Sequence, residues 1–325
     1  MPTPLLEIRD LHSYFQTKEG TVKAVNGVSI QIERDSILGV VGESGSGKTM
    51  TALSILQLLP YPGEVIQGSI KYNGREMLTM TDFEIRQIRG QEISLIFQDA
   101  ANALNPVISV GKQVEEIVLQ HTNVSKREAK NKAVSLLQSM GIPDAGDMLK
   151  RYPFQLSGGM AQRVMMAIGV ALEPKLLIAD EPTSSLDVTL QAEMLHRLRE
   201  LRREYRTSIM LITHDLGVIA QMAEYVAVMY GGSVMEYADT KTLFAKPLHP
   251  YTWGLFQALP RLDEEPRALH PIPGAPAKML NPPDQCPFLD RCNKANNRCR
   301  TEVRPRLTDM EGGHMVACYN PMAYQ

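Results

Sequence analysis

Ile37-Leu38-Gly39-Val40-Val41-Gly42-Glu43-Ser44-Gly45-Ser46-Gly47-Lys48-Thr49 is the stretch on which the reading of this chain turns. Its first five residues form a short apolar run of the kind that fills a parallel strand buried on both faces. The run stops at Gly42, and Gly42 through Thr49 fits G-x-x-x-x-G-K-[ST]. Glycines in such a loop let successive backbone N–H groups turn inward around a phosphate. The helix that follows aims its positive end at the same anion. The Lys48 side chain is long enough to reach the β- and γ-phosphates, and the Thr49 hydroxyl suits a Mg²⁺ shell. A chance glycine-rich turn lacks the flanks that this mechanism needs. Here Ile37–Val41 supplies the strand, and Met50–Leu59 reads as a helix closed by Pro60-Tyr61-Pro62-Gly63. The stretch therefore predicts a nucleotide-phosphate site.

Residues 5–36 alternate apolar and polar in short pieces, and 68–73 reads as a further strand. Residues 82–169 are mostly helical in pattern, with a capping-box spacing at Ser125 and Glu128. Leu176–Ala179 and Ile209–Ile212 are two more buried-strand runs, separated by a charged amphipathic helix over Gln191–Tyr205. Tyr225–Tyr230 and Ser233–Tyr237 predict a hairpin around Gly231-Gly232. Strands alternating with helices indicate an α/β domain with a largely parallel sheet.

Asp180 ends the Leu176–Ala179 run, where a carboxylate suits a Mg²⁺ shell. Glu181 follows it as the candidate general base for an attacking water. Two carboxylates leaving a strand are unremarkable alone; beside a phosphate loop they gain a purpose. Ser157-Gly158-Gly159 opens a second helical stretch, Ala161–Leu172, and offers either a plain helix cap or a second anion site.

The chain has 325 residues, enough for about two domains of 100–200 residues each. Its 34 basic and 36 acidic residues exclude a chain whose overall charge drives nucleic-acid or lipid binding. The N-terminus lacks the pattern of a secretory signal, and the longest apolar run, Val164–Leu172, falls far short of the ~20 residues of a membrane span. A cytosolic setting is expected.

Taken together, Gly42–Thr49, Gln98, Leu156–Met160, Leu177–Glu181, Ser185-Leu186-Asp187 and His214 resemble, in order and spacing, the Walker A, Q-loop, signature, Walker B, D-loop and H-loop of ABC transporter nucleotide-binding subunits. The signature reads LSGGM rather than LSGGQ. The resemblance implies an α/β P-loop NTPase of the ABC type, a RecA-like core with an antiparallel β-subdomain and a helical subdomain at about 82–169. It implies ATP held by the 42–49 loop and Mg²⁺ served by Thr49, Gln98 and Asp180. Glu181 would polarise water and His214 would contact the γ-phosphate. Ser157 and Gly159 would contact the γ-phosphate bound to a head-to-tail partner, and Gly158 and Asp187 would join the nucleotide-binding residues. Tyr14 and Phe15 compete as the aromatic that stacks on adenine, with Phe15 favoured by its spacing to the phosphate loop.

The last 79 residues differ in kind. They hold all four cysteines, Cys286, Cys292, Cys299 and Cys318, and twelve of the 21 prolines. The cysteine gaps of 5, 6 and 18 residues lack the C-x-x-C pairs usual for zinc, and a reducing compartment argues against disulfides. A four-thiolate iron–sulfur cluster tolerates such spacing. His249-Pro250-Tyr251-Thr252, Ile272-Pro273-Gly274 and the Cys-Pro-Phe, Arg-Cys and Val-Ala-Cys pieces at 286–318 resemble the C-terminal extension of dipeptide/oligopeptide importer ATPases. That resemblance implies a 4Fe-4S cluster on the four cysteines, with Zn²⁺ as the alternative, and a small irregular extension (247–325) stapled by metal behind an ABC domain (1–246).

The implied function is the ATP-hydrolysing subunit of a dipeptide or oligopeptide importer on the cytoplasmic face of the membrane. Its implied partners are a second, related ABC ATPase, two transmembrane permease subunits and, indirectly, an extracytoplasmic peptide-binding protein, with no nucleic acid. Another cargo such as nickel, or a soluble ABC ATPase acting on nucleic acid, are the competing readings.

Overall fold

The run Ile37–Val41 forms a strand whose residues are all buried. It is seen in a computed structural model that describes residues 3–184, 186–258, 271–310 and 312–324. The chain divides into two compact units. One comprises Met1–Gln31, Leu38–Leu78 and His214–Gln325, and the other Ile32–Ile37 and Thr79–Thr213.

In the first unit, Leu6–Thr17 pairs antiparallel with Gly63–Tyr72, in register from Leu6 opposite Tyr72 to Phe15 opposite Gly63, with irregularities at His12. Gly20–Ile32 and Arg75–Glu76 flank this pair in a four-stranded sheet. Val25, Val28, Ile30 and Ile32 are buried, as the alternating pattern predicts. Leu38–Val41 pairs parallel with Tyr225–Val228. Tyr225–Tyr230 turns back on Ser233–Asp239 through Gly231 and Gly232, whose φ angles of +53° and +77° suit the left-handed hairpin turn.

The C-terminal segment builds onto this unit. Met315–Val316 adds to Glu236–Tyr237, and Thr308–Asp309 adds in turn to Met315–Val316. Lys23 N–H donates to the Met279 carbonyl at 2.9 Å, and Asn281 N–H to Thr21 at 2.8 Å. The fully buried Glu236 carboxylate accepts from Leu248 N–H (2.6 Å), His249 N–H (2.8 Å) and His314 Nε2 (2.7 Å). Tyr230, Tyr251 and Phe288 form an aromatic cluster with centroids 4.6–5.3 Å apart. Strand pairing, a buried carboxylate and tilted and edge-to-face rings thus hold a segment that sequence alone predicts to depend on a metal staple. Among the described residues no group of three or more His, Cys, Asp or Glu side chains is arranged to hold a metal ion, so what the structure shows fastening this segment is its packing and not a metal staple.

In the second unit, Leu176–Asp180 runs parallel between Ile93–Ile96 and Ser208–Thr213, and both Leu176–Asp180 and Ser208–Thr213 are buried at every residue. The helices Val110–His121, Lys126–Ser139, Gly158–Val170 and Val188–Tyr205 belong to this unit. Ser125 and Glu128 close the expected capping box, Ser125 Oγ accepting from Glu128 N–H while the Glu128 carboxylate accepts from Ser125 N–H. No described helix is long and apolar enough to cross a membrane.

Candidate nucleotide site and thiol cavity

The phosphate loop leads from its strand into the helix Lys48–Ile55. Gly47 caps that helix at φ +99°, with no side-chain cap and no acidic residue in the first turn. The N–H groups and positive end of the first turn therefore remain directed at the loop rather than at a capping side chain. A Cβ on Gly47 would stand 2.4 Å from the Ala24 carbonyl, so steric crowding and positive φ both demand glycine here. Lys48 is buried, and its Nζ donates to the carbonyls of Gly42 (2.8 Å) and Glu43 (3.0 Å). Ser44 and Gly45 are exposed, Ser46 is buried and Thr49 is half-buried.

Ser13, Tyr14 and Phe15 alternate faces along one strand. Ser13 Oγ meets Ser54 Oγ at 2.7 Å, which places the Ser13 and Phe15 face toward the helix that leaves the phosphate loop. Tyr14 faces the other way. Its hydroxyl donates to Asn26 Oδ1 (2.9 Å) and contacts His12 Nδ1 (3.1 Å), with Lys23 Nζ 5.7 Å from its ring centroid.

In the second unit, Asp180 is buried at the strand end. Glu181 follows at φ +45°, a left-handed conformation that costs a non-glycine residue ~1–3 kcal/mol and that clusters at functional sites. Gln98 Nε2 donates to Glu181 Oε2 at 3.2 Å, so the two residues expected to serve metal and water meet directly. Ser157 caps the helix Gly158–Val170 by accepting from Met160 N–H (3.4 Å), and Asp187 caps Val188–Tyr205 by accepting from Leu190 N–H (2.9 Å). Ser157 and Gly158 are exposed, and Gly159 is half-exposed. Both capping roles are structural and leave the exposed helix start able to meet an anion. His214, in the first unit, is exposed next to Asp215, which caps Leu216–Met222. Ser185 lies outside the described residues.

Cys286, Cys292, Cys299 and Cys318 are free thiols, all half-buried. All four line one small cavity with His249, Leu289 and Tyr319. Burial, with lesser contributions from the neighbouring thiols, pushes Cys286 up to about 12 and Cys318 up to about 11. These two are neutral thiols at ordinary pH. Burial also lowers His249 to about 4.

Sequence reading misses three anchoring residues. Glu236 fastens the C-terminal segment, while Tyr251 and Arg291 reach back to Glu43 of the phosphate loop. Their partners lie up to 248 positions away, and no local periodicity reports such a contact.

The family model described as ABC transporter matches residues 25–184, and that described as Oligopeptide/dipeptide transporter, C-terminal region, matches 235–299. An oligopeptide transport ATP-binding protein of Escherichia coli is 44% identical over 98% of this chain and 94% of its own length. A dipeptide transport ATP-binding protein of Bacillus subtilis is 45% identical over 97% of the chain and 94% of its own. A solved dimeric ATP-binding cassette in a post-hydrolysis state, bound to ADP and Pi, shares the fold with TM-score 0.66 and 24% identity, covering 72% of this chain and 98% of that one. A Clostridium perfringens component of an ABC transporter complex gives TM-score 0.62 at 25% identity, covering 75% and 92%. A phosphate loop, an acid pair at a buried strand end and a matched C-terminal region in one chain place it in the family of ATP-binding subunits of oligopeptide/dipeptide ABC transporters.

Proposed function

We propose that this ATPase drives the uptake of dipeptides or oligopeptides. The observation that carries this is the likeness along 97–98% of the chain to subunits named for peptide transport, the C-terminal region included. Those relatives speak against nickel as cargo and against a soluble ATPase acting on nucleic acid.

In this reading the Gly42–Thr49 loop and Lys48 hold the ATP phosphates, and Phe15 stacks on adenine, supported by its position on the loop-helix face. Thr49, Asp180 and the Gln98 carbonyl serve Mg²⁺, which neutralises phosphate charge when bound. Glu181 takes the proton of the attacking water, and its bond to Gln98 supports a defined carboxylate orientation. His214 contacts the γ-phosphate. Ser157, Gly158, Gly159 and Asp187 meet the nucleotide of a second, related ATPase subunit; the dimeric form of the similar solved cassette supports that pairing. Two permease subunits provide the membrane pathway, so the chain acts at the cytoplasmic face of the membrane, and an extracytoplasmic binding protein delivers the peptide.

The four cysteines take a 4Fe-4S cluster in this proposal, with a structural role and with zinc as the alternative. Support comes from four thiols around one cavity. Anaerobically purified protein is expected to be brown with matched iron and sulfide; a colourless protein with stoichiometric zinc would contradict the cluster.

The transport reading is tested by uptake of a labelled dipeptide and a labelled pentapeptide into cells from which this chain is deleted. Loss of uptake of at least one, restored by the wild-type chain, is expected. Undiminished uptake of peptides alongside lost uptake of Ni²⁺ would instead identify the metal cargo.

A further inference from the structure

Glu43 is the second residue of the phosphate loop, and every polar group it owns is engaged. Its carbonyl accepts from Lys48 Nζ (3.0 Å) and from Ser46 N–H (3.1 Å), both within the loop. Its other two contacts leave the loop for the C-terminal segment. Glu43 N–H donates to the Tyr251 hydroxyl at 3.0 Å, and its carboxylate Oε2 accepts from Arg291 Nη1 at 2.7 Å.

Both outside partners are themselves held rigidly. Tyr251 is fully buried within the aromatic cluster. The Arg291 side chain is 6% exposed, and three of its four other N–H donors go to the Pro273 carbonyl (Nε, 2.9 Å), the Ile272 carbonyl (Nη2, 3.1 Å) and the Tyr230 hydroxyl (Nη1, 3.1 Å). The guanidinium also lies 5.6 Å from the Tyr230 ring centroid and 5.9 Å from that of Phe288. An arginine fixed by three other acceptors and two rings has one orientation, so the carboxylate it grips has one too.

A phosphate loop binds well when its N–H groups already point inward, because loop ordering is then not charged against nucleotide binding. We propose that Arg291 and Tyr251 are positioning residues that clamp Glu43 and so preorganise the phosphate loop, including the perch of Lys48, for ATP. The C-terminal segment thereby sets nucleotide affinity without touching the nucleotide. The inference rests on the 42–49 loop being the phosphate site.

The test is steady-state ATP hydrolysis and Mg-ATP titration with the full chain and three substitutions. Glu43→Gln and Arg291→Gln each remove one end of a charge-assisted hydrogen bond, and each is expected to raise KM and Kd for ATP about tenfold, with the change falling on KM more than on kcat. The double variant is expected to be no worse than either single, because the second substitution has nothing left to break. Tyr251→Phe deletes only the hydroxyl, so it reads the clamp even where Arg291→Gln fails to fold, and a rise of about threefold is expected. Unchanged KM in folded variants, or singles whose effects multiply in the double variant, would overturn the clamp alone. Wild-type protein with no affinity for ATP would overturn the phosphate-site assignment and the clamp together.

Discussion

At Glu181 the strand Leu176–Asp180 ends and the half-buried backbone turns left-handed, a conformation that costs a non-glycine residue ~1–3 kcal/mol. The carboxylate is turned toward Gln98 instead of continuing the strand alternation. His249 is the opposite case, a residue whose chemistry is suppressed. It is buried, Nδ1 accepts from Tyr251 N–H at 3.0 Å, and burial holds its pKa at about 4 against 6.5 in the unfolded chain. Above pH 6.5 both states carry neutral histidine and stability is complete. Below it the unfolded state binds the proton first, so stability falls through the window 6.5 to 4, by ~3 kcal/mol in all. Thermal unfolding of the wild type should therefore fall more steeply between pH 6.5 and 4.5 than that of His249→Gln. Equal slopes would show that His249 titrates normally in the folded protein.

Among the elements, the helix Lys48–Ile55 depends on one glycine. Gly47→Ala would force a Cβ against the Ala24 carbonyl at 2.4 Å and an alanine into φ +99°. Such strain costs ~1–3 kcal/mol, and the loop would relieve it by moving the N–H groups proposed to hold the phosphate. A lower melting temperature together with weakened ATP binding is expected; full ATP affinity would show that the loop tolerates the shift. This element was legible in the sequence because motif, strand and helix are contiguous there. So were Leu176–Asp180, Ser208–Thr213 and the Gly231-Gly232 hairpin, where burial on both faces or a glycine pair writes a local pattern. Leu6–Thr17 and Gly63–Tyr72 run longer than their alternating pieces suggest, since antiparallel pairing extends strands past the point where burial enforces alternation.

For the whole molecule, the illegible part is how the C-terminal segment is held. Its prolines and cysteines announce a different kind of chain, but Glu236, Tyr251 and Arg291 act through contacts with His314 and Glu43, residues distant from them in sequence. Sequence singled out the candidate phosphate loop, the candidate acid pair and the candidate thiols by type and spacing. It carried no sign that Gln98 and Glu181 touch, that the Ser13 and Phe15 face packs toward the helix Lys48–Ile55, or that buried hydrogen bonds and aromatic packing fasten the segment. Those are facts of register and tertiary packing.

The central claim is that Glu181 lets this subunit hydrolyse ATP in the service of peptide import. It is tested most directly by ATP hydrolysis of the purified transporter complex in lipid vesicles, with peptide and binding protein, comparing wild type with Glu181→Gln. Loss of the general base is predicted to cut turnover about 10²–10⁴-fold while ATP remains bound. Turnover by the variant at the wild-type rate would contradict the account.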